Sequence, residues 1–264
     1  MWLEKLGLRG VRSKAGSSTD GYIYVPAEGD GPLAHAEPGL TIRIPGRGPP
    51  WIVVDHNLSK VIVARWPGRL WVAQVFEAAT EKDQAPSGGK PRASAKYTRA
   101  IAVRIGAELP VWNLFGAYGE RVLPVIDVAT ALTREQASIL ATARAPEASQ
   151  ANNRTWRNWL TKHEASELHP RNNLDGTLAV SGVEAGSPVN SALSVIHNEV
   201  FKRAKFIEGD AATQDDGEDV WLVEPWSTAS TVLIDAALAL GAPDFVDYAD
   251  AETLMIGWRA LPPR

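Results

Sequence analysis

Residues 124–143 read PVIDVATALTREQASILATA, and the chain changes character within this stretch. Thr133 is followed three positions later by Gln136, which is the spacing of a capping box. In that motif each of the two side chains accepts a hydrogen bond from the backbone N–H of the other residue. The pattern predicts a helix that runs to about Ala143. We place the change from β to α structure close by, between residues 126 and 127.

On the N-terminal side, short apolar or alternating segments are separated by Gly and Pro, a pattern typical of successive strands. The predicted strands are residues 22–25, 40–44, 51–54, 60–66, 69–76 and 97–105. The tetrapeptide 66–69, WPGR, has Pro and Gly at the two central positions of a turn. It therefore predicts a hairpin between the fourth and fifth strands. Residues 81–96, rich in Gly, Pro and Ser, predict a long loop.

On the C-terminal side, further helices are predicted at 147–163, 187–209 and 227–240, with a strand at 220–224 that could join the first sheet. Ser187 is expected to cap the long helix, with Pro188 in its first position. Residues 254–261 fit either a strand or a helical turn. The predicted fold class is α+β, with a β-rich, mainly antiparallel N-terminal half (1–126) and an α-rich C-terminal half (127–264). The two halves can pack as one domain.

Composition excludes several classes of function. The 264 residues carry a formal net charge of −4, which disfavours nucleic acid as the partner, because gripping phosphates needs a basic surface. There is no Cys, hence no disulfide or Cys-based metal site, and the His spacing predicts no metal and no cofactor. The N-terminal residues lack the apolar stretch of a signal peptide, and no later run is long enough for a membrane span. We expect a cytoplasmic protein.

Catalytic signatures are absent, so any active site has to be assembled from scattered residues. Asp55 and His56 follow an apolar strand, and a histidine titrates close to neutral pH, so His56 is the candidate general acid or base. Asp55, Glu199 on the long helix and Asp235 are candidate supporting carboxylates. The alternative for Asp55 and His56 is a structural turn after the strand, which we weigh as the stronger of the two interpretations.

The densest charge lies in residues 208–219, EGDAATQDDGED. Its candidate binding residues are Asp210, Asp215, Asp216, Glu218 and Asp219. Such a segment is either a hydrated connection or a docking surface that steers a basic protein.

Tryptophan is the other excess, with 10 in the chain. Trp156 and Trp159 share one face of a predicted helix and are further candidate binding residues, because Trp is favoured at protein interfaces.

The favoured hypothesis is a protein-binding module of the inhibitor or immunity type, which caps a basic protein partner such as a toxin. Two alternatives remain open. One is an enzyme with a non-contiguous active site that uses His56. The other is a structural or assembly subunit whose β-rich half forms an interface. Oligomeric state and partner identity stay open.

Overall fold

A computed structural model describes residues 20–29, 31–79, 97–163, 170–172, 178–180, 187–217 and 219–262. Strands occupy the first half and helices follow, which confirms the predicted α+β fold with the sheet first. The predicted loop at 81–96 and the candidate binding residue Glu218 lie outside the described residues.

The first half is a small closed sheet in which all strand pairs are antiparallel. Its five strands are β1 (Asp20–Pro26), β2 (Thr41–Arg43), β3 (Ile52–Asp55), β4 (Gly68–Ala78) and β5 (Tyr97–Leu109). The hydrogen-bonded order is β2-β5-β3-β1-β4, and β4 pairs again with β5. The ring β5-β3-β1-β4 is therefore closed, and we call it the barrel. Closure leaves only short strand edges open to pairing.

Alternating side chains of the barrel strands point to opposite faces. In β1, Ile23 and Val25 are buried inside the barrel, whereas Tyr22 and Tyr24 lie on its outer face against the helical half. The inner face of β4 contributes Trp71, which is only 1% exposed. The barrel thus has an apolar core of its own.

The predicted strand at 60–66 and its hairpin are wrong. A short 3-10 turn, Leu58–Lys60, opens this segment, and residues 61–64 have no regular structure. Val61 and Val63 are 2% and 5% exposed and pack into the helical core, while the Ser191 hydroxyl donates to the Val61 carbonyl at 2.7 Å. β4 then pairs with β1 and β5. The continuous apolar run 61–64 therefore reflects burial of Val61 and Val63 against helices, and a short run of this kind has the same composition as a buried strand.

The second half is built from six helices and two short hairpins in the described residues. The helices are α1 (Leu123–Ala131), α2 (Arg134–Ala143), α3 (Ala148–Lys162), α4 (Ala192–Glu208), α5 (Trp226–Gly241) and α6 (Tyr248–Arg259). The hairpins are β6 (Pro170–Asn172) with β7 (Leu178–Val180), and β8 (Thr213–Asp215) with β9 (Val220–Leu222). None of the helices in these ranges is long and apolar enough to cross a membrane.

The helix boundaries test the local sequence signals. The capping box is confirmed, since Thr133 Oγ1 accepts from the Gln136 N–H at 3.2 Å and Gln136 Oε1 from the Thr133 N–H at 3.0 Å. The predicted start at Ser187 is wrong, because a turn containing Asn190 at φ 50° delays α4 until Ala192. β9 pairs with β8 and not with the barrel, and residues 254–259 are helical.

The helical core surrounds α5, whose Trp226 and Leu233 are fully buried. It also takes in Leu70 from β4, together with the partly buried Tyr22 and Tyr24 on the outer face of the barrel. The two halves therefore pack directly against each other. The division of the chain into 1–126 and 127–264 stays a prediction.

Candidate functional site

The β8–β9 hairpin carries the acidic segment at the C-terminal end of α4. Gly209, at φ 60°, ends that helix, as its position in the sequence indicates. The strand register sets Asp215 opposite Val220 and Gln214 opposite Trp221. Directly opposed side chains on paired strands are neighbours. The hairpin thus places the Asp215 carboxylate next to Val220 on one face, while Gln214 and Trp221 lie on the other face.

Two of its aspartates stabilise the turn. Asp215 Oδ1 accepts from the Gly217 N–H at 2.7 Å, and Asp216 Oδ1 accepts from the Asp219 N–H at 3.0 Å. Gly217 adopts φ 90°, a left-handed conformation that favours glycine. All of these residues are exposed. Asp215 and Asp216 therefore shape the hairpin while they contribute charge to its surface.

Asp210, another of the predicted binding residues, has a partner within the chain. Lys205 Nζ lies 2.6 Å from Asp210 Oδ1, and this hydrogen bond holds the pKa of Asp210 below its usual range. The Asp210 side chain is fully exposed, so water and salt screen the pair. The ion pair with Lys205 is therefore weak, and the carboxylate stays accessible to solvent.

Exposed apolar side chains accompany the acidic hairpin. Phe206 and Ile207, at the end of α4, are 80% and 38% exposed, while Val220 and Trp221 on β9 are 50% and 38% exposed. The Arg203 guanidinium lies over the Phe206 ring at 5.2 Å. This apolar set was not predicted from the sequence. Phe206 falls outside the apolar stripe of the helix, which is a signal of exposure, whereas Ile207 continues that stripe.

The two tryptophans of α3 lie in a different environment. Trp159 is 3% exposed, and its ring contacts that of Trp156 edge-on at 6.0 Å and that of His163 at 4.6 Å. Trp156 is half-buried. Trp159 is thus core packing and offers little surface to a partner. A binding role for these two residues stays a prediction.

The candidate catalytic residues are divided between two places. His56 Nε2 lies 2.9 Å from Thr98 Oγ1 at the end of β3. Burial raises the pKa of the neighbouring Asp55 to about 6, and the charge of His56 opposes that rise. Glu199 instead lies on α4, 8% exposed and paired with Lys202, where its charge adds to the burial that raises the pKa of Tyr24. Catalysis by this set stays a prediction.

Asp235 is enclosed within the helical half and is 1% exposed. Its carboxylate accepts from Asn152 Nδ2 at 2.8 Å and from Arg144 Nε at 3.2 Å. Burial nevertheless raises its pKa to about 6, because desolvation outweighs these two partners. Through these hydrogen bonds Asp235 links α5 to Asn152 of α3 and to Arg144, the residue after α2. This link is a structural role.

One cleft, with a volume of about 360 Å³, lies among α1, α2 and α6. None of the predicted site residues lines it. Its walls are Pro124, Asp127, Val128, Gln136, Trp258, Arg259, Leu261 and Pro262. In the part of the chain that the structure describes, no group of three or more His, Asp or Glu side chains is placed to hold a metal ion.

Comparisons of the chain with protein-family models, with curated proteins and with solved structures found no match. We therefore infer the function from the residues themselves. Of the sets described above, the acidic and apolar residues at the end of α4 form the most exposed candidate. We name them the hairpin surface: Phe206, Ile207, Asp210, Asp215, Asp216, Asp219, Val220 and Trp221.

Proposed function

We propose that the chain is a protein-binding module of the inhibitor or immunity type, which caps a basic protein partner, such as a toxin, with its hairpin surface. The observation that carries this proposal is the exposure of carboxylates and large apolar groups on one short hairpin, where Asp215 lies opposite Val220 on one face and Trp221 lies on the other. A connecting loop that only has to stay hydrated needs charged side chains, and it has no need of exposed large apolar ones. Exposed aromatic side chains among them match the composition of binding surfaces.

The two kinds of residue have different roles in binding. The carboxylates raise the association rate by steering a basic partner toward the hairpin, an effect that weakens as salt increases. Trp221 and Phe206 supply the apolar contact that slows dissociation, since aromatic side chains carry much of the energy of protein interfaces. Affinity for the partner therefore has a salt-dependent part and a salt-independent part.

The distribution of charge supports a basic partner for the helical half. Residues 127–264 contain 20 Asp and Glu but only 11 Lys and Arg, whereas residues 1–126 contain 11 Asp and Glu and 16 Lys and Arg. The negative charge of the chain is thus concentrated in the half that carries the hairpin. A basic protein that approaches the molecule is attracted to that half.

The test uses a charge reversal that leaves the turn intact. Glu218→Lys with Asp219→Lys changes two carboxylates while Asp215 and Asp216 keep their backbone hydrogen bonds. Glu28→Lys with Glu120→Lys, at exposed positions elsewhere, is the control with equal charge. All three proteins are used to capture partners from the source cells. Each captured protein is then purified, and its association rate is measured at low and moderate salt.

We expect a basic partner whose association rate at low salt falls about tenfold or more with the hairpin variant, and much less with the control. Equal slowing by both variants would show that only net charge matters and would refute the hairpin as the docking site. Failure of the natural protein to retain any basic protein would also contradict the proposal.

A second pair of variants tests the apolar part. Trp221→Ala should raise the dissociation rate of the captured partner about tenfold, because a large ring is lost from the interface. Phe76→Ala removes a ring that is 69% exposed on the barrel and should leave that rate unchanged. Equal dissociation from both variants would remove Trp221 from the binding surface.

The cytoplasmic location, an enzymatic role for His56 and a role as an assembly subunit stay predictions. The cytoplasmic location has to be tested by locating the protein in the cell. For the second, His56 has the Thr98 hydroxyl 2.9 Å from its Nε2 atom, and Asp55 has a pKa suited to proton transfer near pH 6. The third requires a measurement of oligomeric state.

A further inference from the structure

Three side chains from three neighbouring strands lie side by side on the outer face of the barrel. The register pairs Tyr22 of β1 with Asp55 of β3, and pairs Asp55 in turn with Tyr97 of β5. Directly paired residues project from the same face of a sheet, with Cβ atoms about 5 Å apart. A carboxylate is therefore flanked by two tyrosine side chains, and we call this set the tyrosine row.

The close approach of β1 to β3 depends on a glycine. A Cβ atom at Gly21 would lie 2.4 Å from the Asp55 carbonyl oxygen and 2.7 Å from Val54 Cγ1. No side chain fits there, so only glycine lets the two strands come together at this point. Val54, the residue before Asp55, is fully buried in the barrel core, which leaves Asp55 on the outer face.

In the part of the chain that the structure describes, no Lys or Arg side chain forms an ion pair with the Asp55 carboxylate. It is half-buried, and burial raises its pKa, while the one described charge that favours its ionised form is the adjacent His56. In the described ranges no hydrogen bond or ion pair reaches this carboxylate. Arg99, two residues beyond Tyr97, instead lies over the rings of Trp51 and Tyr97, at 5.1 and 5.8 Å. A partly desolvated carboxylate without a partner is unfavourable until a cation joins it.

We propose that the tyrosine row is a binding site for an organic cation, an alkylammonium or guanidinium group, with Asp55 as its counter-ion. Tyrosine faces attract cations through the negative charge of their π systems, and the effect grows as water is excluded. The carboxylate supplies the opposite charge and the hydrogen-bond acceptors. The same chemistry serves a free amine or a Lys or Arg side chain of a protein. This site is separate from the hairpin surface and does not depend on the proposed function.

The experiment titrates the whole chain with n-butylammonium, n-butylguanidinium and uncharged n-butanol, followed by NMR or calorimetry. It is carried out at about pH 7.5, above the pKa of Asp55, so that the carboxylate is ionised. Blocked tripeptides with a central Lys or Arg are added as separate arms, because they present the cation as a protein does. Tighter binding of the peptides identifies a protein side chain as the ligand, and tighter binding of the small cations identifies a free amine.

We expect the cations to bind and n-butanol not to bind. Asp55→Asn should weaken cation binding about tenfold or more, whereas Asp20→Asn, an exposed change on β1, should leave it unchanged. Tyr97→Leu should weaken it about threefold while the carboxylate stays in place. Circular dichroism of each variant confirms that the fold is intact.

Two results would overturn the proposal. One is the absence of cation binding up to about 10 mM for every cation and peptide, a level at which a site of this chemistry should be occupied. The other is cation binding of equal strength by the natural protein and by Asp55→Asn. Should Asp55→Asn fail to fold, Tyr97→Leu decides, because unchanged affinity in that variant contradicts the role of the ring.

Discussion

The barrel and the helical half bury their apolar side chains in different ways. Every buried residue of the barrel core lies between residues 23 and 105, within the strands and the segments that join them. The helical core is not confined to the helices, since it also takes in Val61, Val63 and Leu70 from the first half. The barrel closes around side chains of its own region, whereas the helical core is completed by side chains from outside its region.

This difference explains how a chain segment can belong to one half in sequence and to the other in structure. Residues 61–64 connect barrel strands, yet Val61 and Val63 point into the helices and Ile62, between them, is 79% exposed. The segment therefore ties the helical half to the barrel through side-chain packing and the hydrogen bond from Ser191. Loss of that packing should weaken the helical core, although both residues precede Asp127.

The largest expected effect comes from the double change Val61→Ala with Val63→Ala. It removes two buried side chains from the helical core and should lower the free energy of unfolding by about 4 kcal/mol. Urea unfolding followed by circular dichroism measures the loss. Ile62→Ala, at the exposed position between them, should stay within about 0.5 kcal/mol of the natural protein. A larger loss for Ile62→Ala than for the double variant would contradict the packing described.

A smaller effect is expected at the barrel, from Gly21→Ala. The added methyl group would overlap the Asp55 carbonyl oxygen, so β1 and β3 have to separate. We expect a loss of about 2 kcal/mol, which is typical of overpacking in a tight site. Gly31→Ala is the matched control, because its Cβ meets nothing within 4 Å. Equal stability of the two variants would show that β1 and β3 adjust without strain.

The smallest effect is a dependence on pH that originates in the helical half. The folded pKa of Asp235, about 6, lies above the ordinary value for Asp, about 4, so the folded state binds more protons than the unfolded state between these values. The free energy of unfolding should therefore fall as pH rises through this window, by about 1 kcal/mol from about pH 5 to about pH 7. Asp235→Asn removes this contribution. Urea titrations of both proteins at each pH measure it, and parallel profiles would contradict the assignment.

Much of the fold could be predicted because its signals are local. The capping box of Thr133 and Gln136 occupies four consecutive residues, and its hydrogen bonds form within one helical turn. The start of α4 was misjudged, since Ser187 and Pro188 favour a helix while Asn190 interrupts it. The apolar run 61–64, VIVA, indicated that this segment is buried, but not that Ile62 would be exposed between the buried Val61 and Val63. It carried no information on whether a strand or a group of helices would cover them.

The sites were less predictable because they depend on contacts between distant residues. The carboxylates of the acidic hairpin were recognised from their density, but the exposure of Phe206 and Trp221 follows from how α4 and β9 pack. The sequence indicates Asp55 only as a candidate supporting carboxylate, whereas the strand register places it between Tyr22 and Tyr97. That grouping follows from strand register, which a single sequence does not specify over such separations.

The backbone hydrogen bond from Val223 to Ala212, at 3.0 Å, holds the two ends of the β8–β9 hairpin together. The strands β8 and β9 extend from this hydrogen bond, and Ala212 and Leu222 beside it are buried. Because the two ends of the hairpin already lie together, a change in its length changes the entropic cost of closing the loop only modestly. Under the proposed function, substitution of about ten residues in this hairpin would therefore change the partner that is bound, while the rest of both cores keeps its sequence.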